Sequence, residues 1–185
     1  MRKKRAVFLD RDGVIVREVD YLDDVKRLEV LRGVPAAMKS LRAAGFKVVV
    51  VTNQSGVARG YFSLNRLAGI HRELKKRLAK DGAKWDALYF SPHGPDSDHP
   101  MRKPGTGMLK AAEKRFKLDL GSSYLVGDTT TDIQTARNAG CTAVLVRGGK
   151  GGRDGKHPKA KPDKVCRDLP AAARWILSHA ASKSL

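Results

Sequence analysis

Apolar residues in this chain gather in short runs separated by amphipathic stretches. Ala6-Val7-Phe8-Leu9 is uninterrupted, and a run that is apolar at successive positions marks a strand buried on both faces. Residues 46–51 repeat the pattern, with four consecutive valines after Lys47, and 85–90, 123–126 and 143–146 supply three more. Between them apolar positions recur at helical spacing over 34–44, 64–80, 108–116 and 132–139, and 169–180 reads as a closing helix. Gly45, Gly82 and Gly140 stand where those helices must stop. Strand and helix in strict alternation predict an α/β fold: a Rossmann-like, doubly wound parallel sheet with helices on both faces.

No repeat is visible and nothing divides the chain, so its 185 residues are expected to form one domain, 1–185. Two stretches are irregular. Residues 91–107 (SPHGPDSDHPMRKPGTG) are dense in Pro and Gly. Residues 148–162 (GGKGGRDGKHPKAKP) are rich in Lys and Gly and poor in apolar side chains, and are expected to be mobile. A nucleotide-binding P-loop is excluded there, because Gly155-Lys156 is followed by His157 and Lys150 stands at the first glycine position.

No stretch approaches the roughly 18 apolar residues of a membrane span. The opening Met1-Arg2-Lys3-Lys4-Arg5 resembles the basic start of a signal peptide, but the apolar run behind it ends at Asp10. With two cysteines, Cys141 and Cys166, fitting neither a disulfide framework nor a metal quartet, a cytoplasmic monomer is expected. Lys and Arg number 37 against 19 Asp and Glu, a net charge of +18 that attracts polyanions. The basic residues are spread along the whole chain, aromatic residues are only 6%, and no zinc-finger or RNP spacing occurs. An enzyme for small anionic substrates is therefore favoured over a nucleic-acid binder.

The polar residues at the ends of the apolar runs carry the chemistry. Leu9 leads to Asp10, Val51 to Thr52, and Val126-Gly127 to Asp128. Open parallel sheets bind ligands in the crevice beyond the carboxyl ends of their strands, so these three can converge. In Asp10-Arg11-Asp12-Gly13 one carboxylate can attack phosphorus while the other moves a proton to the leaving alcohol and from water. Gly13 lets the chain turn so that amides face phosphate oxygens. A calcium loop also opens with alternating acids, but its glycine comes at the sixth position. Thr52 can donate to a phosphoryl oxygen, and Asn53-Gln54-Ser55 can orient a hydroxylated substrate, although a strand-to-helix turn reads similarly. Lys103 can neutralise charge on the phosphoryl group, and Arg102 can fork onto a second anion. Asp10 and Asp128, with the Asp12 carbonyl, suit Mg²⁺. Asp132 in the next helix either supports that site or only caps the helix.

Taken together, Asp-x-Asp-Gly, then Thr, then Lys, then Gly-Asp-x₃-Asp resemble the haloacid dehalogenase-like phosphatase superfamily over about the first 150 residues. FLDRDGVI, VVVVTNQSGVARG, RKP and YLVGD are similar to the heptose-bisphosphate phosphatase family, and histidinol-phosphate phosphatases share much of the pattern. The resemblance implies hydrolysis of a small sugar phosphate through an aspartyl-phosphate. Asp10 would be the nucleophile and Asp12 the acid/base, with Thr52 and Lys103 holding the phosphoryl group and Mg²⁺ on Asp10, Asp12 and Asp128. It further implies substrate contacts at Arg11, Glu18, Val19, Asp20, Tyr21, Asn53, Gln54, Ser55 and Arg102, and no separate cap domain. Three departures stand out: Val14 replaces a usual Thr, Thr129 replaces a usual basic residue, and the loop before Arg102 has no cysteine. The last implies that the structural zinc of many relatives is absent.

Overall fold

The computed structural model describes residues 4–183, so Met1, Arg2 and Lys3 of the basic opening lie outside the described residues. Six strands form one parallel sheet: β1 (Ala6–Leu9), β2 (Lys47–Asn53), β3 (Ala87–Ser91), β4 (Tyr124–Gly127), β5 (Thr142–Val146) and β6 (Lys164–Cys166). Their order across the sheet is β3-β2-β1-β4-β5-β6. Five helices connect or follow them: α1 (Val34–Ala43), α2 (Leu64–Lys80), α3 (Gly107–Phe116), α4 (Thr130–Ala139) and α5 (Leu169–Ser182). This is the expected α/β Rossmann-like class.

The period-2 geometry of a strand divides each apolar run between two faces. Val7, Leu9, Val48, Val50, Val126 and Val144 join Met38, Leu41, Leu74 and Ile176 in one core. Ala6, Phe8, Val49, Val51, Leu125 and Ala143 join Met108, Leu109, Ile133 and Ala136 in the other. Burial on both faces is why these segments are apolar at every position. The sheet extends one strand further than the apolar pattern indicates. β6 is only three residues long, two of them exposed, and it pairs through Val165 and Cys166 with Leu145 and Val146. Both cysteines are free and buried. Among the described residues no helix is long and apolar enough to cross a membrane.

Two boundaries move toward the site. β2 runs on through Thr52 and Asn53, which pair with Phe90 and Ser91 of β3. α4 starts at Thr130, two residues early, because Thr129 caps it.

Candidate active site

Because β1 lies between β2 and β4, the residues leaving the carboxyl ends of these strands face one crevice. Asp10, whose amide donates to Val126 O at 3.0 Å, leaves β1; Thr52 lies at the end of β2; Asp128 follows β4. Gly13 has φ +75, and a Cβ there would lie 2.4 Å from Asp128 Oδ2. Only glycine both adopts that angle without strain and lets the β1 loop lie against the β4 carboxylate.

Lys103 enters from the loop after β3. Its ammonium is 3.0 Å from Asp10 Oδ1 and 2.5 Å from Asp132 Oδ1, and donates to Val51 O at 3.2 Å. Asn53 clamps its backbone, accepting from Lys103 N at 3.0 Å and donating to Lys103 O at 3.1 Å. Asp132 fills both roles left open by the sequence. It closes a capping box with Thr129 on α4 and pairs with the buried ammonium.

Ligand oxygens of Asp10, Asp128 and Asp132 all lie within 4.8 Å of one another. Burial pushes the Asp10 carboxyl up to about 8; Lys103 pulls it down, while Asp132, Asp128 and Asp12 push it further up. Burial and then Asp132 push Asp128 up to about 7. For Lys103, burial works against the charged form, but Asp10 and Asp132 outweigh it and hold the pKa above the ordinary lysine value. Asp128 Oδ2 accepts from Lys150 N at 2.7 Å, whereas its buried Oδ1 has no hydrogen-bond partner among the described residues. Buried carboxylate oxygens rarely lack a partner. An all-oxygen set of crowded carboxylates with one unmatched oxygen fits a hard divalent cation.

Asp12 is held by its neighbours. Gln54 Nε2 donates to Asp12 Oδ2 and to Thr52 Oγ1, each at 2.9 Å. The resemblance implies a substrate contact for Arg11, but the structure turns this side chain inward, where it is 1% exposed and forks onto Asp12. The fork satisfies a guanidinium that would otherwise be buried without acceptors.

The crevice is a cavity of ≈ 360 Å³ containing Asp10, Asp12, Thr52, Lys103 and Asp128, and a second of ≈ 210 Å³ adjoins it. Glu18, Asn53, Ser55 and Arg102 line both. Val19, Asp20, Tyr21 and Gln54 line the second alone, together with Arg59. Burial and then Asp12 push the Glu18 carboxyl up to about 7. Arg102 donates to His93 O at 2.8 Å; burial and neighbouring Arg59 lower its pKa, against Asp96. The structure thus brings together every residue that the sequence nominates; Arg11 also lines the second cavity, with its guanidinium committed to Asp12 and Gln54.

The segment expected to be mobile is instead held against the site. Asp154 accepts from Thr130 N at 2.6 Å and Thr130 Oγ1 at 2.9 Å. Burial raises the Asp154 carboxyl, but those Thr130 donors outweigh it and leave the pKa below the ordinary value. Lys150 and Lys156 line both cavities, and His157 the larger one. The available signal was glycine density: a Cβ at Gly149 would lie 2.2 Å from Asp128 Oδ2.

A HAD-hydrolase-like family model matches residues 100–172. The D-glycero-D-manno-heptose-1,7-bisphosphate 7-phosphatase of Thermosynechococcus vestitus is 43% identical, over 96% of this chain and 98% of that protein. The chain belongs to the haloacid dehalogenase-like phosphatases. Within them it is also 37% identical to the D-glycero-beta-D-manno-heptose-1,7-bisphosphate 7-phosphatase of Pseudomonas aeruginosa, over 94% and 98% of the two chains. The crystal structure of the D,D-heptose 1,7-bisphosphate phosphatase of Bordetella bronchiseptica superposes with a TM-score of 0.85 at 37% identity, covering 95% of this chain and 99% of that one. That structure holds magnesium and phosphate.

Proposed function

We propose that this phosphatase removes the 7-phosphate of D-glycero-D-manno-heptose 1,7-bisphosphate through a phosphoryl ester on Asp10. The observation that carries this reading is the junction of the two cavities. A carboxylate and lysine centre able to transfer phosphoryl groups opens directly onto a second basic pocket lined by Arg59, Arg102 and Lys156. Two anionic groups on one substrate match that arrangement. The names of the relatives support the choice of sugar.

In this scheme a carboxylate oxygen of Asp10 attacks phosphorus while the bond from phosphorus to the sugar oxygen breaks. The leaving oxygen takes the proton of Asp12. Asp12 then withdraws a proton from water as the water oxygen attacks phosphorus, which frees phosphate and restores the Asp10 carboxylate. Thr52 Oγ1 accepts from Gln54, which leaves its own hydroxyl proton to donate to a phosphoryl oxygen. Lys103 neutralises charge on the same group. Mg²⁺, held by Asp10, Asp128 and the Asp12 carbonyl, would supply further charge neutralisation when bound. No structural zinc belongs to this scheme, because the loop before Arg102 has no thiolate. The free thiols suit a cytoplasmic monomer, and the +18 charge is assigned mainly to solvated surface.

A phosphate-release screen over sugar phosphates, with Mg²⁺ present and absent, tests the proposal. The highest kcat/KM is expected for the 1,7-bisphosphate with Mg²⁺, with ³¹P spectra showing loss of the 7-phosphate and retention of the 1-phosphate. Equal rates on simple monophosphates, or a preference for histidinol phosphate, would contradict it.

A further inference from the structure

α2 contributes a residue that no motif marks. Its buried face carries Leu67, Ile70, Leu74 and Leu78, and among these apolar residues sits His71. The ring lies 5.7 Å from that of Phe90, tilted by 59°. Its Nε2 is 3.1 Å from Nη1 of Arg11. A guanidinium has donors and no acceptor, so Nε2 must receive this bond and the ring proton must sit on Nδ1. Burial, and then the adjacent Arg11, push the imidazole pKa down to about 4, which keeps the ring neutral and the Nε2 lone pair available.

The other bonds of Arg11 lead to the reacting centre. Nε donates to Asp12 Oδ1 at 3.1 Å and Nη2 to Asp12 Oδ2 at 2.9 Å, while Nη2 also reaches Gln54 Oε1 at 3.0 Å. With its oxygen occupied by Arg11, Gln54 has to point its amide protons at Asp12 and Thr52, where the structure places them. One chain of bonds therefore runs from α2 to both groups that meet the transferring phosphoryl unit. A buried guanidinium holds a single pose only when each edge of its fork is met, and His71 meets the edge facing away from the crevice.

We infer that His71 is a positioning residue for the acid/base carboxylate: as a neutral acceptor behind Arg11, it fixes the fork that aims Asp12 and the amide of Gln54. The inference rests on Asp12 being the acid/base, as proposed above. His71 lines neither cavity of the crevice, so it acts through Arg11 and not by touching substrate.

Kinetics with two classes of ester test this, because an activated aryl phosphate leaves without needing a proton and a sugar phosphate does not. His71→Leu, which keeps the bulk and removes the acceptor, is expected to lower kcat on sugar phosphate by roughly tenfold to a hundredfold, the scale of a misplaced catalytic group, with KM little changed. The aryl substrate should lose less than threefold by the same reasoning. His71→Gln restores an acceptor where Nε2 stood and should recover most of the loss. If the Leu variant does not fold, His71→Asn carries the same comparison, since its shorter side chain places the acceptor out of reach of Arg11. In an Asp12→Asn background, His71→Leu should add nothing. Equal losses on both esters, or an undiminished effect in the Asp12→Asn background, would overturn the inference. If Asp12→Asn itself shows no dependence on leaving group, the fault lies in the acid/base assignment and not in the role of His71.

Discussion

Replacing Lys103 by Met isolates the charge at the centre of the site. The ammonium is nearly inaccessible and touches Asp10 Oδ1 at 3.0 Å and Asp132 Oδ1 at 2.5 Å, while Asp128 completes a set of carboxylates within 4.8 Å. At an effective dielectric constant of about 20, two charges 3.0 Å apart attract by about 5 kcal/mol. Releasing Lys103 from its own burial offsets part of this. Asp10, pushed up to about 8 even beside the ammonium, also takes up a proton once it is gone. The net loss is therefore expected at or below the about 3–5 kcal/mol of a buried pair whose partner stays charged. That is a large share of the roughly 5–15 kcal/mol that keeps a domain folded. Urea unfolding followed by circular dichroism, in chelator at pH 8 and again at pH 6, measures it. The deficit should shrink at the lower pH, because Asp10 and Asp128, pushed up to about 8 and about 7, take up protons there. A variant as stable as the parent at pH 8 would refute the electrostatic argument. An equal deficit at both values would assign the loss to packing.

The pH dependence of the metal-free protein follows from the same groups. Folded Asp10, Asp128 and Glu18 bind protons below about 8, 7 and 7, where the unfolded chain, with values of 3.8 to 4.5, does not, so stability rises as pH falls from 8. His71, pushed down from 6.5 to about 4, acts oppositely: its stabilisation is complete above 6.5 and is lost as pH falls toward 4. Three raised carboxyls outweigh one depressed imidazole, so thermal stability in chelator should keep rising as pH falls from 8 to about 5, and Mg²⁺ should flatten the limb between pH 6 and 8. Arg102→Ala should lower kcat/KM for a bisphosphorylated sugar at least tenfold more than for a monophosphate, roughly one charge-assisted bond, and equal losses would count against the second phosphate pocket. Protein purified without chelator should contain well under one zinc per chain, and a zinc chelator should leave Mg²⁺-supported turnover intact.

The sequence discloses the parts of this site whose placement is local. An apolar run buried on both faces has to end where the strand leaves the core, and Asp10, Thr52 and Asp128 stand at those points. The adjacency of β1, β2 and β4 then follows from the general topology of such sheets. What local pattern does not hold is long-range pairing. His71 lies 60 positions from Arg11, and its only trace is a polar residue on an apolar helix face. Arg11 occupies a motif position between two carboxylates, yet its direction is set by Gln54, 43 residues away. The segment around Lys150 and Asp154 reads as mobile because it has almost no apolar side chains. It is held by Asp154 on Thr130 and by close backbone approach at Gly149, which hydrophobic periodicity does not register. β6 is hidden for a related reason: an edge strand of three residues, mostly exposed, carries too little alternation to read.

Trapping the covalent intermediate tests the central claim most directly. Enzyme mixed with the 1,7-bisphosphate and Mg²⁺, quenched in acid within milliseconds and digested, should yield a peptide bearing one phosphoryl group on Asp10. Hydroxylamine should remove it, as it does acyl phosphates, and Asp10→Asn should neither form it nor turn over. A turning-over enzyme whose phosphoryl group sits on another residue, or a folded Asp10→Asn protein with near-parental activity, would contradict the account.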